Sequence, residues 1–229
     1  MDYSLLKKIQ EIILKESAEK NRISEDLLAE QIGRSRTPIR AVLQHLEEYG
    51  WIERRHKSGI RLRKIPIEEA LEIYDLRGIL EGLACHMLAQ RPNEKILRQL
   101  HQAEEDHLKA MQANRSRAEI SLKDIAFHRL ILENCGARHL PRLITTLEVV
   151  IQTMTLMHQT FPKPRYFPRR ILHGKIIAAI AEGNPKKAEK VMRIHIEKGK
   201  QTLIKPLRAN CAQGKTGKEV MLTTVNSKW

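Results

Sequence analysis

Cysteine, aromatic residues and long apolar runs are all scarce in this sequence. The three cysteines, Cys85, Cys135 and Cys211, are odd in number, far apart and form no C-x-x-C pair. That argues against a disulfide framework and against a zinc-thiolate site, and for a reducing compartment. Aromatics make up 4% of the 229 residues, and alternating Val/Ile/Thr runs are rare, so little points to a sheet protein. No apolar run approaches the ~18 residues of a membrane span, and the start, MDYSLLKKIQEIILKE, is amphipathic and charged from residue 7. Export and membrane insertion are not expected; a cytoplasmic location is.

What is present is Leu, Ile, Ala, Glu and Lys, with 41% apolar and 30% charged residues, the balance of a globular, mainly α chain with a real core. The formal net charge of +14 is unevenly placed: residues 1–33 hold 5 basic and 7 acidic side chains, whereas residues 34–66 hold 9 and 3. A local switch of sign is the electrostatic footprint expected of a polyanion site.

Leu5, Leu6, Ile9, Ile12 and Ile13 recur at helical spacing, which predicts a first helix over 3–16. Ser24 is a natural N-cap for a second helix that turns Leu27, Leu28 and Ile32 inward and stops at Gly33. Ser35 can cap a third, with Pro38 in its first turn and Gly50 beyond its end. On that helix Ile39, Val42, Leu43 and Leu46 form one stripe, while Arg36, Arg40 and Gln44 line up on an adjoining flank. Arginines around a helix start oppose the macrodipole, so a partner outside the protein is their expected counterpart. WIERRHKSGIRLRKI then predicts two short strands around Ser58-Gly59, with Ile60 and Leu62 alternating against Arg61 and Arg63. Together these make a winged helix-turn-helix with a basic wing.

The stretch SEDLLAEQIGRSRTPIRAVLQHLEEYGWIERR resembles the DNA-binding domain of the GntR-type bacterial transcription regulators. The resemblance implies that Arg36 and Arg40 read the major groove and that Gly59 approaches the minor groove. Arg34, Ser35, Thr37 and Gln44 complete the expected contact set on a palindromic double-stranded operator. One departure is Asp26, where the family commonly has an arginine.

After Pro66 a second regime of long helical stretches begins, at roughly 67–90, 93–113, 116–135, 139–160, 169–182 and 185–204, which predicts an antiparallel bundle. YDLRGILEGLA, KDIAFHRLILENCG and HGKIIAAIAEGNPKKAEKVMRIHI resemble the FCD ligand-binding domain of the FadR subfamily. The expected organisation is therefore a winged helix-turn-helix over 1–66, an all-α FCD-like domain over 67–205 and a tail over 206–229.

Within that domain Asp124 and His128 are four residues apart on one helix face, and His173 and His195 are equidistant from the turn at Asn184, so a hairpin sets them level. These four positions agree with the family's metal-binding pattern, and three imidazoles with one carboxylate suit a borderline divalent ion, Zn²⁺ or Ni²⁺. His45, His56, His86, His101, His107, His139 and His158 fit no such set and are expected in solvent or packing roles. Arg77 falls where the family often directs an arginine toward the cavity; the other reading is a surface partner of Glu81. The loop FPKPRYF, residues 161–167, is either a cap over a pocket or a plain connection.

The expected function is a homodimeric transcription regulator, not an enzyme, whose operator affinity responds to a small carboxylate bound at the metal. Two alternatives stay open: a sensor of the metal ion itself, and a metal-dependent hydrolase, for which no H-E-x-x-H base motif is found.

Overall fold

The computed structural model describes residues 3–18, 22–48, 50–55, 59–63, 66–113, 115, 117–141, 143 and 173–212, with the side chains of 3, 7, 14, 18, 55, 67, 117, 118 and 203–212 excluded. The chain divides into two compact units, Met1–Pro66 and Ile67–Trp229.

The first unit is built on three helices, α1 (Tyr3–Ala18), α2 (Glu25–Ile32) and α3 (Arg36–Glu48). Leu5, Ile9 and Ile13 of α1, Leu28 of α2, and Ile39, Val42, Leu43 and Leu46 of α3 are all buried, as their spacing requires. Ser24 Oγ accepts from the Leu27 amide at 3.1 Å and caps α2, and Gly33 ends it in the left-handed region at φ 70°. Trp51, fully buried, follows α3 and leads into β1 (Ile52–Arg55), which pairs antiparallel with β2 (Gly59–Leu62) in the register Ile52 to Leu62. The predicted turn residue Ser58 lies outside the described residues.

Gly59 opens β2 at φ 78°, and a Cβ there would sit 2.3 Å from the Ile23 carbonyl oxygen. That carbonyl accepts from the Ile60 amide at 2.9 Å, so the wing is stitched to the segment preceding α2. The glycine is thus required by backbone contact within the unit, apart from any contact with a partner.

The second unit contains α4 (Ile67–Ala89), α5 (Glu94–Gln112), α6 (Arg117–Asn134), α7 (Gly174–Ala181) and α8 (Pro185–Ala212). Asp75 pairs with Lys200 at 2.5 Å and His86 with Glu189 at 3.2 Å, which sets α4 antiparallel to α8. Gly78 and Gly82 open the surface between them, where Cβ atoms would meet Ile196 at 3.9 Å and Arg193 at 3.1 Å. The core is Cys85 and Leu88 of α4, Leu100 of α5, Phe127 and Ile131 of α6, Ile176, Ile177 and Ile180 of α7, and Met192 and Ile196 of α8. Burial pushes the Cys85 thiol well above its ordinary pKa, and Cys85 and Cys135 are both free.

Two expectations need adjustment. The last helix does not stop at 204: it runs through Pro206 to Ala212, so the first residues of the expected tail are helical. Leu207, Arg208, Ala209 and Ala212 are good helix formers, enough to carry the backbone past a proline. The helix expected over 169–182 is described only over Gly174–Ala181, with His173 at its N-cap position. Residues 144–172, including most of the helix expected over 139–160 and the 161–167 loop, lie outside the described residues.

Gly59→Ala should destabilise the full chain by about 1–3 kcal/mol, because both the left-handed backbone and the Ile23 carbonyl oppose a Cβ. Urea unfolding indistinguishable from wild type would show that the wing relaxes freely.

Candidate functional site

Three imidazoles and a carboxylate meet inside the second unit. Asp124 and His128 stand one turn apart on α6, His195 comes from α8, and His173 precedes α7 with φ −75° and ψ −12° and no side-chain capping bond. One donor atom from each of the four lies within 4.8 Å of the others. His128 Nε2 and His195 Nε2 face each other at 3.2 Å, Asp124 Oδ1 is 3.1 Å from His173 Nε2, and Asp124 Oδ2 is 3.8 Å from His128 Nε2. The histidines are buried, whereas the Asp124 side chain, with both oxygens directed at the rings, is 32% exposed and the most accessible of the four.

The far sides of two rings are fixed by carboxylates that the sequence reading did not single out. Glu104 of α5 accepts from the His173 amide at 3.0 Å and from His173 Nδ1 at 2.5 Å. Glu81 of α4 abuts His128 Nδ1 with Oε2 and accepts from Arg77 Nε with Oε1 at 2.6 Å. Phe127 stacks flat on His173, ring centroids 3.8 Å apart at 13°. His173 Nδ1 is hydrogen-bonded to Glu104 and the Nδ1 side of His128 lies against Glu81, so the Nε2 atoms of both rings turn to the centre, the arrangement by which outer carboxylates orient metal-binding imidazoles. No sequence signal marks Glu104 or Phe127. Glu81 was visible only as the i+4 partner of Arg77.

The fit to a cation rests on unpaired nitrogens. His173 Nε2 is buried without an aligned hydrogen-bond partner. His128 and His195 aim nitrogen at nitrogen, a contact that one proton can bridge but two neutral lone pairs oppose. A divalent ion between them would satisfy all three Nε2 atoms, and the His₃Asp donor set suits Zn²⁺ or Ni²⁺.

Charges around the cluster are strongly displaced. Burial disfavours the Glu81 carboxylate, yet Arg77 and His128 outweigh it and bring its pKa down to about 2. Desolvation likewise opposes Asp124, and the His128, His173 and His195 rings hold it well below the ordinary carboxylate range. Burial opposes a charged His173, but Asp124 and Glu104 raise it to about 9. His195 is lowered well below the usual imidazole value by burial and then by His128 and His173. Burial also lowers His107, which lies against His173 with ring centroids 5.2 Å apart and belongs to a second close group with Glu104.

Arg77 meets one of its two sequence readings, in altered form. It is the i+4 partner of Glu81, but the pair is buried, at 6% and 2% side-chain exposure, and not on the surface. Its ring neighbour is Tyr74, with the guanidinium carbon 5.6 Å from the centroid. Because Nε takes Glu81, the two Nη groups are outside that bond.

On the first unit, Arg34, Ser35, Arg36, Thr37, Arg40 and Gln44 are all exposed, and Gly59 is half-buried. Arg36 Nη2 lies 2.5 Å from Asp26 Oδ1, Arg40 Nε 2.6 Å from Glu25 Oε2, and Gln44 Nε2 2.9 Å from Glu48 Oε1.

Comparison with known proteins places both units. Residues 7–62 match the bacterial regulatory proteins of the gntR family, and residues 72–198 match the FCD domain. The HTH-type transcriptional regulator YdhC of Bacillus subtilis (strain 168) is 29% identical over 139 residues, 61% of this chain and 62% of that protein, so the match spans less than two thirds of that relative. A Paenarthrobacter nicotinovorans protein named "Probable D-xylose utilization operon transcriptional repressor" is 25% identical over 174 residues, 74% of this chain and 73% of its own. Among solved structures, E. coli McbR/YncC superposes with TM-score 0.72 at 18% identity, over 80% of this chain and 87% of that one. A GntR regulator from Rhodococcus sp. RHA1 gives 0.69 at 17%, over 88% and 98%. At these identities the likeness concerns the fold.

Arg77→Met should cost about 3–5 kcal/mol in urea unfolding, since it leaves Glu81 buried without its guanidinium. The double variant Arg77→Met/Glu81→Leu should recover part of that loss. A single variant as stable as wild type would contradict the buried pair.

Proposed function

Because this chain is a transcriptional regulator that belongs to the gntR family of bacterial regulatory proteins and carries their FCD domain, we propose that it binds a palindromic operator as a homodimer and releases or engages it in response to a small carboxylate bound at a metal-containing cluster. The observation that carries the effector half is the convergence of three Nε2 atoms and Asp124, with the Nδ1 sides of two rings set against Glu81 and Glu104. Asp124, His128, His173 and His195 would hold the ion. When bound, a divalent ion supplies positive charge and open coordination positions for an anionic oxygen.

The chain's own residues do the rest. Asp124, the most accessible of the four, would be the first to meet an entering ligand. Arg77, anchored through Nε, offers its Nη groups as a second contact for a polar group on the ligand, with bidentate geometry a lysine lacks. Tight closure of α4, α6 and α8 around such a ligand would supply the differential affinity that allostery requires. Sugar acids, hydroxy acids and dicarboxylates all meet this chemistry.

The DNA-binding half is supported by the exposed Arg34, Arg36 and Arg40 beside the basic strands of the wing. Support for a homodimer comes from α4, whose outward face shows Leu76, Ile79 and Leu83 at 39%, 50% and 42% exposure, a stripe that a second copy would cover. Two-fold symmetry of that kind matches a palindromic half-site arrangement.

His195→Ala should lower metal content and abolish any rise in Tm on adding Zn²⁺ or Ni²⁺. Wild-type protein purified without chelator that holds no metal, with a Tm indifferent to both ions, would remove the metal from the proposal. Calorimetric titration of organic acids into metal-loaded wild type and into His195→Ala tests the effector: equal binding to both would place the pocket elsewhere. On a duplex enriched by wild type from a random library, Arg36→Ala or Arg40→Ala should each lose about 1–3 kcal/mol. Unchanged affinity at fixed salt in both variants would rule out this reading face.

A further inference from the structure

The arginines of the exposed α3 flank are not free. Asp26 Oδ1 contacts Arg36 Nη2 at 2.5 Å, and Glu25 Oε2 accepts from Arg40 Nε at 2.6 Å. Glu25 and Asp26 are the first two residues of α2, and Arg36 and Arg40 lie on the first turns of α3, so consecutive carboxylates hold arginines one helical turn apart. Glu25 is the steadier of the two: its side chain is 25% exposed, and its other oxygen stands 3.9 Å from Arg54 Nη1 of β1. Arg54 in turn gives Nε to Glu47 at 2.6 Å.

Stability does not explain these contacts, because ion pairs this exposed contribute little to folding. Nor do they favour DNA affinity, since carboxylates beside a phosphate-binding surface repel phosphate and cancel part of the charge that displaces counterions. What they do control is direction. With Nε committed to Glu25, Arg40 keeps the end of its fork, Nη1 and Nη2, for a pair of acceptors such as O6 and N7 of guanine. A phosphate is attracted mainly by net charge, which the carboxylate compensates. A guanine edge is recognised by aligned N–H groups, which the carboxylate orients and leaves available.

We propose that Glu25 is a specificity-determining positioning residue for this regulator: it holds Arg40 in base-reading orientation, while Glu25 and Asp26 together lower the attraction of Arg40 and Arg36 to the phosphates of unrelated sequence. This rests on the DNA-binding reading above. Removing the two charges should therefore tighten binding to arbitrary DNA more than binding to the preferred sequence.

The test uses the full chain, as wild type, Asp26→Asn, Glu25→Gln and the double variant, with two probes: a duplex enriched by wild type from a random library, and a scrambled duplex of the same composition. Affinity is measured over a range of salt, and thermal melts verify that these near-isosteric surface changes leave the fold intact; the two single variants serve if the double one does not. The double variant should bind the scrambled duplex roughly tenfold more tightly, with a log–log salt slope steeper by about 1 for each phosphate contact regained. Its preference for the enriched over the scrambled duplex should fall by about the same factor. Equal tightening on both duplexes would overturn the specificity role and leave plain repulsion; no change on either would overturn any role for the carboxylates. Wild type that binds neither duplex at low salt and enriches no sequence would instead remove the DNA-binding reading, and this proposal with it.

Discussion

A carboxylate buried between a guanidinium and an imidazole must be ionised, and Glu81 is in that position, with one oxygen on Arg77 and the other on His128. Its negative charge is what allows Arg77 to stay charged at 6% side-chain exposure. The same carboxylate lies against His128 Nδ1, so that Nε2 is the atom presented to His195. Glu104 treats His173 in the same way and also occupies its backbone amide. The direction of the donor atoms on α6 and before α7 is thus decided by side chains of α4 and α5.

That dependence shapes the helices. α4 and α6 carry Arg77, Glu81 and His128 on faces that are buried, so neither separates cleanly into apolar and polar sides. α3 does, since every one of its four inward residues is aliphatic. Where a helix buries charge, its partners have to be supplied from other helices, and this requires close approach. Gly78 and Gly82 provide it between α4 and α8. Phe127 serves a related purpose within the cluster, as a flat wall that limits the rotation of His173.

The parts of the fold legible in the sequence were those fixed by local chemistry. Ser24 as a cap, Gly33 as a stop and the Ile39, Val42, Leu43 and Leu46 stripe all follow from rules that act within one or two turns. Asp124 and His128 were readable for the same reason, being one turn apart. Glu104 was not, because its partner His173 is 69 residues away and nothing in its own neighbourhood distinguishes it from the exposed Glu105. The burial of the Arg77–Glu81 pair was missed because i+4 charge pairs are ordinary on surfaces, and only tertiary packing removes the water. The last helix end, expected at 204, falls instead at Ala212, because a helix already long by Pro206 needs only its next turn to tolerate the proline.

Cys85 sits one turn beyond Glu81 on α4, fully buried and with a thiol pushed well above its ordinary pKa. Thiolate is the form that reacts with peroxides, disulfides and alkylating agents. Held as the protonated thiol and packed out of reach, Cys85 is a poor nucleophile on both counts, and peroxides, disulfides and alkylating agents have little purchase on it.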